Sequence, residues 1–183
     1  CDCTGYRLDG TDTEPNMYVG MIINRSLADT TDSVTGLGDI HALVNAIGEM
    51  RRVARKASLV AIKIDEIARV NARFGFDAGD RVLAESAACL MDCSRGKGRL
   101  FRSTGPTFVA LFDELGPEAI DEIASDIERF LGSPVLIGSL EYQPPIRVAT
   151  LHLDAVDRQP VSILNELKAL LGKAVQVPGT KLD

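Results

Sequence analysis

The chain has 183 residues, of which 45% are apolar and 25% are charged, and its formal net charge is −6. This length accommodates one domain of ordinary size with a short additional segment, and the composition is typical of a globular protein. No apolar run approaches the roughly 18 residues that a membrane helix needs. A negative surface does not favour binding to a phosphate backbone, so the composition argues against both a membrane segment and a nucleic-acid partner.

Residues 1–25 differ from the rest of the chain and predict a β-hairpin. Two apolar segments, around Tyr6 and Tyr18, flank a stretch rich in turn-forming residues. The pattern resembles the last two strands of a PAS sensor domain, and an ordinary hairpin is the alternative. Because the chain begins with a cysteine and not with methionine, we expect it to be part of a longer protein. Residues 26–39 are expected to form a connector.

Apolar residues at helical spacing predict helices in the remainder of the chain, over about residues 40–56, 66–74, 78–92, 117–131 and 161–171. Runs rich in β-branched residues predict strands, over about residues 59–64, 99–102, 107–112, 134–138, 145–153 and 175–177. Asp39 and Asp65 are expected to cap the first two helices, and Val53 and Phe130 are expected to face the core. Strands with helices packed on one face indicate an α+β, ferredoxin-like layer architecture.

Three partial motifs follow one another along the chain. They read Asp-Ser-Val-Thr-Gly-Leu at residues 32–37, Asn-Ala-Arg-Phe-Gly-Phe-Asp-Ala-Gly-Asp at 71–80, and Arg-Ser-Thr-Gly-Pro-Thr-Phe at 102–108. Their order and spacing resemble the GGDEF (diguanylate cyclase) family, which has an Asp-x-Leu-Thr-Gly-Leu opening, a guanine-reading segment and a Gly-Gly-Asp/Glu-Glu-Phe signature. The resemblance covers residues 32–180 and implies a nucleotidyl-cyclase-type sheet with antiparallel strands and flanking helices. We therefore expect this domain to occupy residues 40–183, preceded by its opening motif.

Members of the family condense two GTP molecules into cyclic di-GMP across a dimer, with a divalent metal that carboxylates hold. The resemblance places Lys63 and Pro106 at the two metal-binding positions. An ammonium repels a metal cation, and proline offers neither a carboxylate nor a backbone N–H. We therefore expect no metal site and no catalytic residues, with Mg²⁺ as a cofactor only if the chain is a cyclase with atypical ligation. In an alternative role, Lys63 binds a phosphate directly.

The residues that the resemblance implies for nucleotide binding are better preserved. Asn71 and Asp80 match the family's guanine-binding Asn and Asp, and their side chains suit the hydrogen-bonding edge of guanine. Thr104 and Gly105 replace the first two glycines of the signature, and Gly105 would still let a phosphate approach the backbone closely. Structural explanations remain open for all four: a polar group near a helix end, a carboxylate in the first turn of a helix, and a plain hairpin turn.

A basic cluster follows the third predicted helix. The product-inhibition motif of the family is Arg-x-x-Asp, and the same count here gives Arg95, with Gly98 in place of the acid. Arg95, Lys97 and Arg99 are therefore candidates for an inhibitory site that grips the phosphates of cyclic di-GMP. A solvated basic loop is the alternative.

Cysteine usage bears on the cellular compartment. The four cysteines fall as two pairs, Cys1 with Cys3 and Cys89 with Cys93, and the second pair shares one face of a predicted helix. We expect bystander thiols in a reducing cytoplasm, with a metal site as the alternative.

We interpret the chain as a degenerate GGDEF domain without cyclase activity, which acts as a GTP-responsive or dimerising module. Two alternatives remain: an active or weak diguanylate cyclase with unusual metal ligation, and a structural dimerisation domain that binds no nucleotide. GTP and cyclic di-GMP are the candidate ligands, and a second copy or an adjacent signalling domain is the expected protein partner. Magnesium-dependent product formation would identify the cyclase, whereas saturable GTP binding without product would support the degenerate domain.

Overall fold

The computed structural model of the protein describes residues 30–53, 55–94, 96–131 and 133–182. The hairpin predicted over residues 1–25, the start of the connector and Arg95 lie outside these ranges. Within them, the helices are α1 (Ile40–Arg52), α2 (Ile67–Phe74), α3 (Phe76–Ser94), α4 (Pro117–Leu131) and α5 (Pro160–Lys173). The strands are β1 (Ala57–Ile64), β2 (Gly98–Arg102), β3 (Thr107–Asp113), β4 (Val135–Ile137), β5 (Leu140–Tyr142), β6 (Ile146–Leu153) and β7 (Gln176–Val177). None of these helices combines the length and the apolar character that crossing a membrane requires.

β1 is the central strand of a five-stranded sheet with the order β2-β3-β1-β6-β7. It pairs antiparallel with β3 on one side and with β6 on the other, and the outer pairs are antiparallel as well. Leu59, Val60, Ala61 and Ile62 are at most 1% exposed, because both faces of this strand are covered. The sheet confirms the predicted buried central strand and the α+β, ferredoxin-like fold class.

Helices cover both faces of the sheet, whereas the sequence predicts them on one. α2, α3 and α4 pack against the face that carries Val60, Ile62 and Phe108. α1 and α5 pack against the opposite face, around Leu59 and Val109. Successive side chains of a strand point to opposite faces, and β1 is apolar at both sets of positions. Each face therefore needs a covering layer of helices.

Several local predictions are corrected by the structure. α1 ends at Arg52, so Val53 lies beyond the helical stripe and is 60% exposed. Phe130 in α4 is likewise 46% exposed. Glu66, and not Asp65, is the residue before α2, and its left-handed backbone (φ 64°) provides no side-chain cap. β4 and β5 form an antiparallel hairpin. β5 lies between the strands predicted at 134–138 and 145–153, where the sequence predicts no strand.

Asp39 caps α1, as predicted. Its carboxylate accepts hydrogen bonds from the backbone N–H groups of His41 and Ala42, at 2.8 and 3.0 Å. These two groups belong to the first turn of the helix, where the backbone offers no partner. The residue before the cap, Gly38, forms a parallel bridge with Phe101 of β2. The cap therefore fixes the segment before α1 beside the edge strand of the sheet.

Candidate functional site

A cleft of about 460 Å³ opens where the end of β1 meets α2, α3 and the turn between β2 and β3. Three of the predicted nucleotide-binding residues line it: Asn71, Asp80 and Gly105. Lys63 and Pro106 line it as well, at the two positions where the resemblance implies metal-binding carboxylates. The fold therefore brings together most of the site that the sequence predicts.

Asn71 extends from α2 with its side-chain oxygen buried. The Oδ1 atom accepts no hydrogen bond from any described residue, although leaving a buried acceptor unpaired costs about 1–3 kcal/mol. It lies against Gly79 of α3, where an added Cβ would be 1.8 Å from Oδ1. A side chain that satisfied nearby backbone would have a partner, so the structural explanation that the sequence left open does not account for Asn71.

Asp80 belongs to α3 and lines the same cleft. Its side chain is exposed, and no hydrogen bond or ion pair holds it within the described part of the chain. Because α3 begins at Phe76, the acid in its first turn is Asp77. The helix-dipole explanation that the sequence left open for Asp80 therefore applies to Asp77 instead.

The turn between β2 and β3 presents Gly105 to the cleft. Gly105 has a φ of 54°, a left-handed conformation that glycine adopts without strain. Its carbonyl oxygen accepts a hydrogen bond from Arg102 Nε at 2.9 Å. Thr104 is exposed at the same turn but lines a different cavity, on the side of the sheet that α5 covers. The structure thus separates Thr104 from the other three predicted residues.

An ion pair that is largely buried ties this turn to the segment before α1. Arg102 Nη1 donates to both carboxylate oxygens of Asp32, at 2.9 and 3.1 Å, and the two side chains are 15% and 22% exposed. Burial alone would raise the pKa of Asp32, but hydrogen bonds from Arg102 and Thr35 outweigh burial and hold the pKa below 3.8. Sequence reasoning missed this pair, whose partners lie 70 residues apart. An acid in the first motif and an arginine in the third were the only available signal.

Lys63 is paired with a neighbouring carboxylate. Its Nζ atom lies 3.1 Å from Asp65 Oδ1, while Arg147 Nε and Gln176 Nε2 donate to Oδ2 at 2.9 and 2.6 Å. Burial acts to raise the pKa of Asp65, but the hydrogen bonds from Arg147, Gln176 and Lys63 prevail and lower it below 3.8. Asp65 therefore serves as the counter-ion of two cations and not as the predicted helix cap.

The family model of the diguanylate cyclase GGDEF domain matches residues 29–157, which is more than half of the chain. The chain belongs to the GGDEF family. It is 30% identical to the cyclic di-GMP phosphodiesterase PdeR of Escherichia coli strain K12 over 113 residues, which are 61% of this chain and 17% of PdeR. It is also 30% identical to the diguanylate cyclase DgcS of Shewanella oneidensis over 84 residues, 44% of this chain and 28% of DgcS. The matched segment is thus a minor part of either relative, and the two relatives have different activities.

Solved GGDEF structures share the fold. The GGDEF domain of FimX from Pseudomonas aeruginosa matches with a TM-score of 0.74 and 16% identity, over 80% of this chain and 94% of that domain. Diguanylate cyclase SiaD from the same organism, in complex with its activator SiaC, matches with a TM-score of 0.73 and 20% identity, over 78% of this chain and 56% of SiaD. The GGDEF domain of DgcB from Caulobacter crescentus, in complex with c-di-GMP, matches with a TM-score of 0.65 and 18% identity, over 83% of this chain and 92% of that domain. At these identities the likeness establishes the fold alone.

The residues of the cleft that Asn71 and Asp80 line do not fit the divalent metal that cyclase chemistry requires. Such a metal needs hard oxygen ligands, but its two expected positions carry an ammonium at Lys63 and a ring at Pro106. The carboxylate of Asp65 is already held by three side-chain donors. Within the described ranges, no group of three or more His, Cys, Asp or Glu side chains is placed to hold a metal ion, and this includes Cys89 and Cys93.

Only part of the predicted inhibitory cluster lies within the described residues, because Arg95 is outside them. Lys97 is exposed, and Arg99 forms an exposed ion pair in which its Nη1 atom lies 3.3 Å from Glu49 Oε2. The inhibitory role of the cluster and the solvated-loop alternative both stay predictions.

Proposed function

We propose that this GGDEF domain recognises a guanine nucleotide without converting GTP into cyclic di-GMP, and that it acts as a regulatory module of a larger signalling protein. The observation that carries the proposal is the position of Lys63. Its Nζ atom lies 3.1 Å from Asp65 Oδ1, at the site where the family holds a metal carboxylate. We place this activity in the cytoplasm, where GTP is available.

Guanine recognition is supported by the convergence of Asn71 and Asp80 on one cleft. Guanine presents an N1–H and an exocyclic amine as neighbouring donors, and a carboxylate accepts from both. Asp80 is exposed and therefore ready to do so. The Asn71 amide has an unpaired oxygen, which would turn toward the ligand by rotation about its terminal side-chain bond.

Loss of turnover is supported by the charge at the other end of the cleft. A cyclase must neutralise a triphosphate and activate a ribose hydroxyl, and metal ions do both in this family. Lys63 supplies one fixed positive charge but cannot act as a Lewis acid, and Asp65 already compensates that charge. Glu66 adds a negative charge to the lining. We therefore expect nucleotide binding that is independent of magnesium and similar for GTP and GDP.

The proposed regulatory role is supported by the length of the relatives. The matched segment is 17% of PdeR and 28% of DgcS, so GGDEF domains of this type occur in much longer proteins. A domain that binds nucleotide but makes no product acts by changing its contacts with a second copy or with adjacent domains. The nucleotide can shift the equilibrium between two arrangements of these contacts only by the difference in its binding free energy to the two arrangements.

Calorimetric titration of the purified chain with GTP and with GDP, with and without Mg²⁺, tests the proposal. The mixtures are then analysed by chromatography for cyclic di-GMP. We expect saturable binding, no requirement for metal and no product. Asp80→Asn should abolish binding, while Asp77→Asn, an exposed acid of the same helix outside the cleft, should leave it unchanged.

Each other outcome identifies a different function. Magnesium-dependent cyclic di-GMP would establish the chain as a cyclase with atypical ligation and overturn the proposal. No heat with either nucleotide would leave a structural or dimerising domain. Equal loss of binding in Asp77→Asn and Asp80→Asn would mean that the charge of α3, and not guanine recognition, governs affinity.

A further inference from the structure

A second cavity, of about 390 Å³, lies beneath α5, on the face of the sheet opposite to α2 and α3. The apolar part of its wall comes from the sheet and from α5 and includes Ala61, Val109, Leu167 and Leu171. This volume falls within the range of pockets that hold small molecules, roughly 300–1,000 Å³. The cavity contains no residue of the guanine-binding pair, so its ligand need not be a nucleotide.

A row of polar side chains crosses three strands at one end of this cavity. Lys63 of β1 is directly opposite Thr107 of β3 and Arg147 of β6, and all three residues line the cavity. Two residues earlier in β1, the next row on the same face is apolar, with Ala61 opposite Val109. Residues two apart in a strand share a face. The cavity therefore has a charged end, at Lys63, that continues into an apolar interior, at Ala61.

The charge of this cavity is positive on an acidic protein. Lys63, Arg147 and Lys168 line it, and no acidic residue does so in the described part of the chain, although the net charge of the whole chain is −6. Lys63 and Arg147 share one counter-ion, Asp65, which lines the cleft of Asn71 and Asp80 and not this cavity. Their side chains remain 44% and 32% exposed, and Lys168 is exposed on α5. Positive charge therefore remains available to a ligand.

We propose that this cavity binds an amphipathic organic anion, with a single carboxylate or phosphate head joined to an apolar body. The head lies against the row formed by Thr107, Lys63 and Arg147, where hydroxyl and cationic donors converge. The body lies between α5 and the strands, where it removes apolar surface from water. Lys168, which is exposed and lines the same cavity, adds a third cationic contact. The site is independent of guanine recognition, and only Lys63 lines both cavities.

Nuclear magnetic resonance of the ¹⁵N-labelled chain tests the site, with three probes whose alkyl tails are nearly equal in length. These are decanoate, decyl phosphate and decyltrimethylammonium, each kept below its micelle concentration. We expect decanoate or decyl phosphate to shift the amide resonances of Ala61, Val109 and Leu167 saturably. The preferred anion distinguishes a carboxylate ligand from a phosphate ligand. The cationic probe should not produce these shifts, because the positive charges of Lys63 and Arg147 repel its ammonium head.

Charge-reversal variants of two lysines on α5 make the test specific. Lys168→Glu should weaken anion binding by about tenfold or more, as expected for loss of a charge-assisted contact. Lys173→Glu is the matched control, since Lys173 is exposed on the same helix but lies outside the cavity lining. Thermal unfolding of both variants verifies that they remain folded.

Three results would overturn the proposal. These are absence of shifts up to about 1 mM anion, equal binding of the cationic probe, and equal effects of the two lysine variants. A failure of GTP to bind would leave it intact, because decanoate and GTP are titrated separately. The two proposals therefore fail independently.

Discussion

The side-chain amide of Asn71 lies against Gly79, so closely that a Cβ built on Gly79 would come within 1.8 Å of the Asn71 Oδ1 atom. Gly79 is buried in the interior of α3, a position where glycine is normally unfavourable. Its absence of a side chain leaves room for the amide at the edge of the cleft that Asn71 and Asp80 line. We infer that Gly79 is a positioning residue for Asn71, although it does not line the cleft itself.

Gly79→Ala should lower the affinity for GTP while leaving the stability of the fold almost unchanged. The new methyl group would displace the end of the flexible Asn71 side chain and no backbone atom, so the fold should survive. We expect the unfolding free energy to change by less than about 1 kcal/mol, because alanine also favours the helix. Affinity for GTP, measured by calorimetry, should fall as far as it does in Asn71→Ala.

The control for this change is Gly48→Ala in α1, where an added Cβ meets no atom within 4 Å. That variant should gain about 0.5–1 kcal/mol of stability and bind GTP as the unmodified chain does. Normal GTP affinity in Gly79→Ala would contradict the positioning role, because the amide could not then be required where it lies.

Restoring carboxylates to the cleft should create a metal site. Lys63 and Thr107 are directly opposite each other on β1 and β3, and Pro106 precedes Thr107 at the turn. The triple variant Lys63→Asp, Pro106→Asp, Thr107→Glu places two new acids in the cleft that Asp65 lines, at positions 63 and 106, and a third in the cavity beneath α5, at position 107. Without metal these acids repel one another, so we expect lower thermal stability that Mn²⁺ restores.

Binding of Mn²⁺ is measured by electron paramagnetic resonance, with Lys63→Ala as the control. Lys63→Ala removes the ammonium without adding a ligand and should bind no metal at the cleft. A triple variant without Mn²⁺ affinity would contradict this prediction, because replacing Lys63 and Pro106 would then not be enough to admit the metal.

The ion pair between Asp32 and Arg102 should make stability depend on pH. The pKa of Asp32 in the folded chain lies below 3.8, its value without these contacts. The contribution is therefore complete above pH 3.8 and is lost as the pH falls through the lower folded value. Asp39 and Asp65 have lowered pKa values as well and act in the same direction.

Urea unfolding of Asp32→Asn at pH 7 and at pH 3 tests this dependence. We expect a loss of about 1–3 kcal/mol at pH 7, where Arg102 loses a charged acceptor, and a smaller loss at pH 3. Asp113→Asn serves as the control, because its pair with Arg55 is 47% and 53% exposed. That change should cost less than about 1 kcal/mol. A loss in Asp32→Asn that is equal at both pH values would assign the effect to packing and not to charge.

The sequence predicts the order of the elements because each has a strong local pattern. β1 is a β-branched run, α1 carries a cap at Asp39, and α4 begins with a proline, so each is recognisable without the rest of the chain. The proximity of Asn71 and Asp80 is predictable for the same reason, since both lie within one short motif. Val53 and Phe130 show the limit: a helical stripe indicates a face but not where that face ends.

Contacts between distant segments are not predictable in this way. The row of Thr107, Lys63 and Arg147 depends on the register of three strands, and a shift of one residue would turn these side chains to the other face. The assignment of Asp65 as a helix cap failed because Arg147 and Gln176 reach it from β6 and β7. A carboxylate can cap a helix or bind side chains from distant segments, and here Asp65 binds Lys63, Arg147 and Gln176.

Cys93 should resist alkylation while the chain is folded. It is 5% exposed in α3, and burial together with the neighbouring Cys89, Asp126 and Asp92 raises its pKa to about 12. Only the thiolate reacts with iodoacetamide, so at pH 8 we expect alkylation about a thousandfold slower than in urea-unfolded chain. Peptide mass spectrometry follows Cys93 separately from the other thiols. Rapid alkylation in the folded state would instead show that the contact between α3 and α4 opens locally, well before global unfolding.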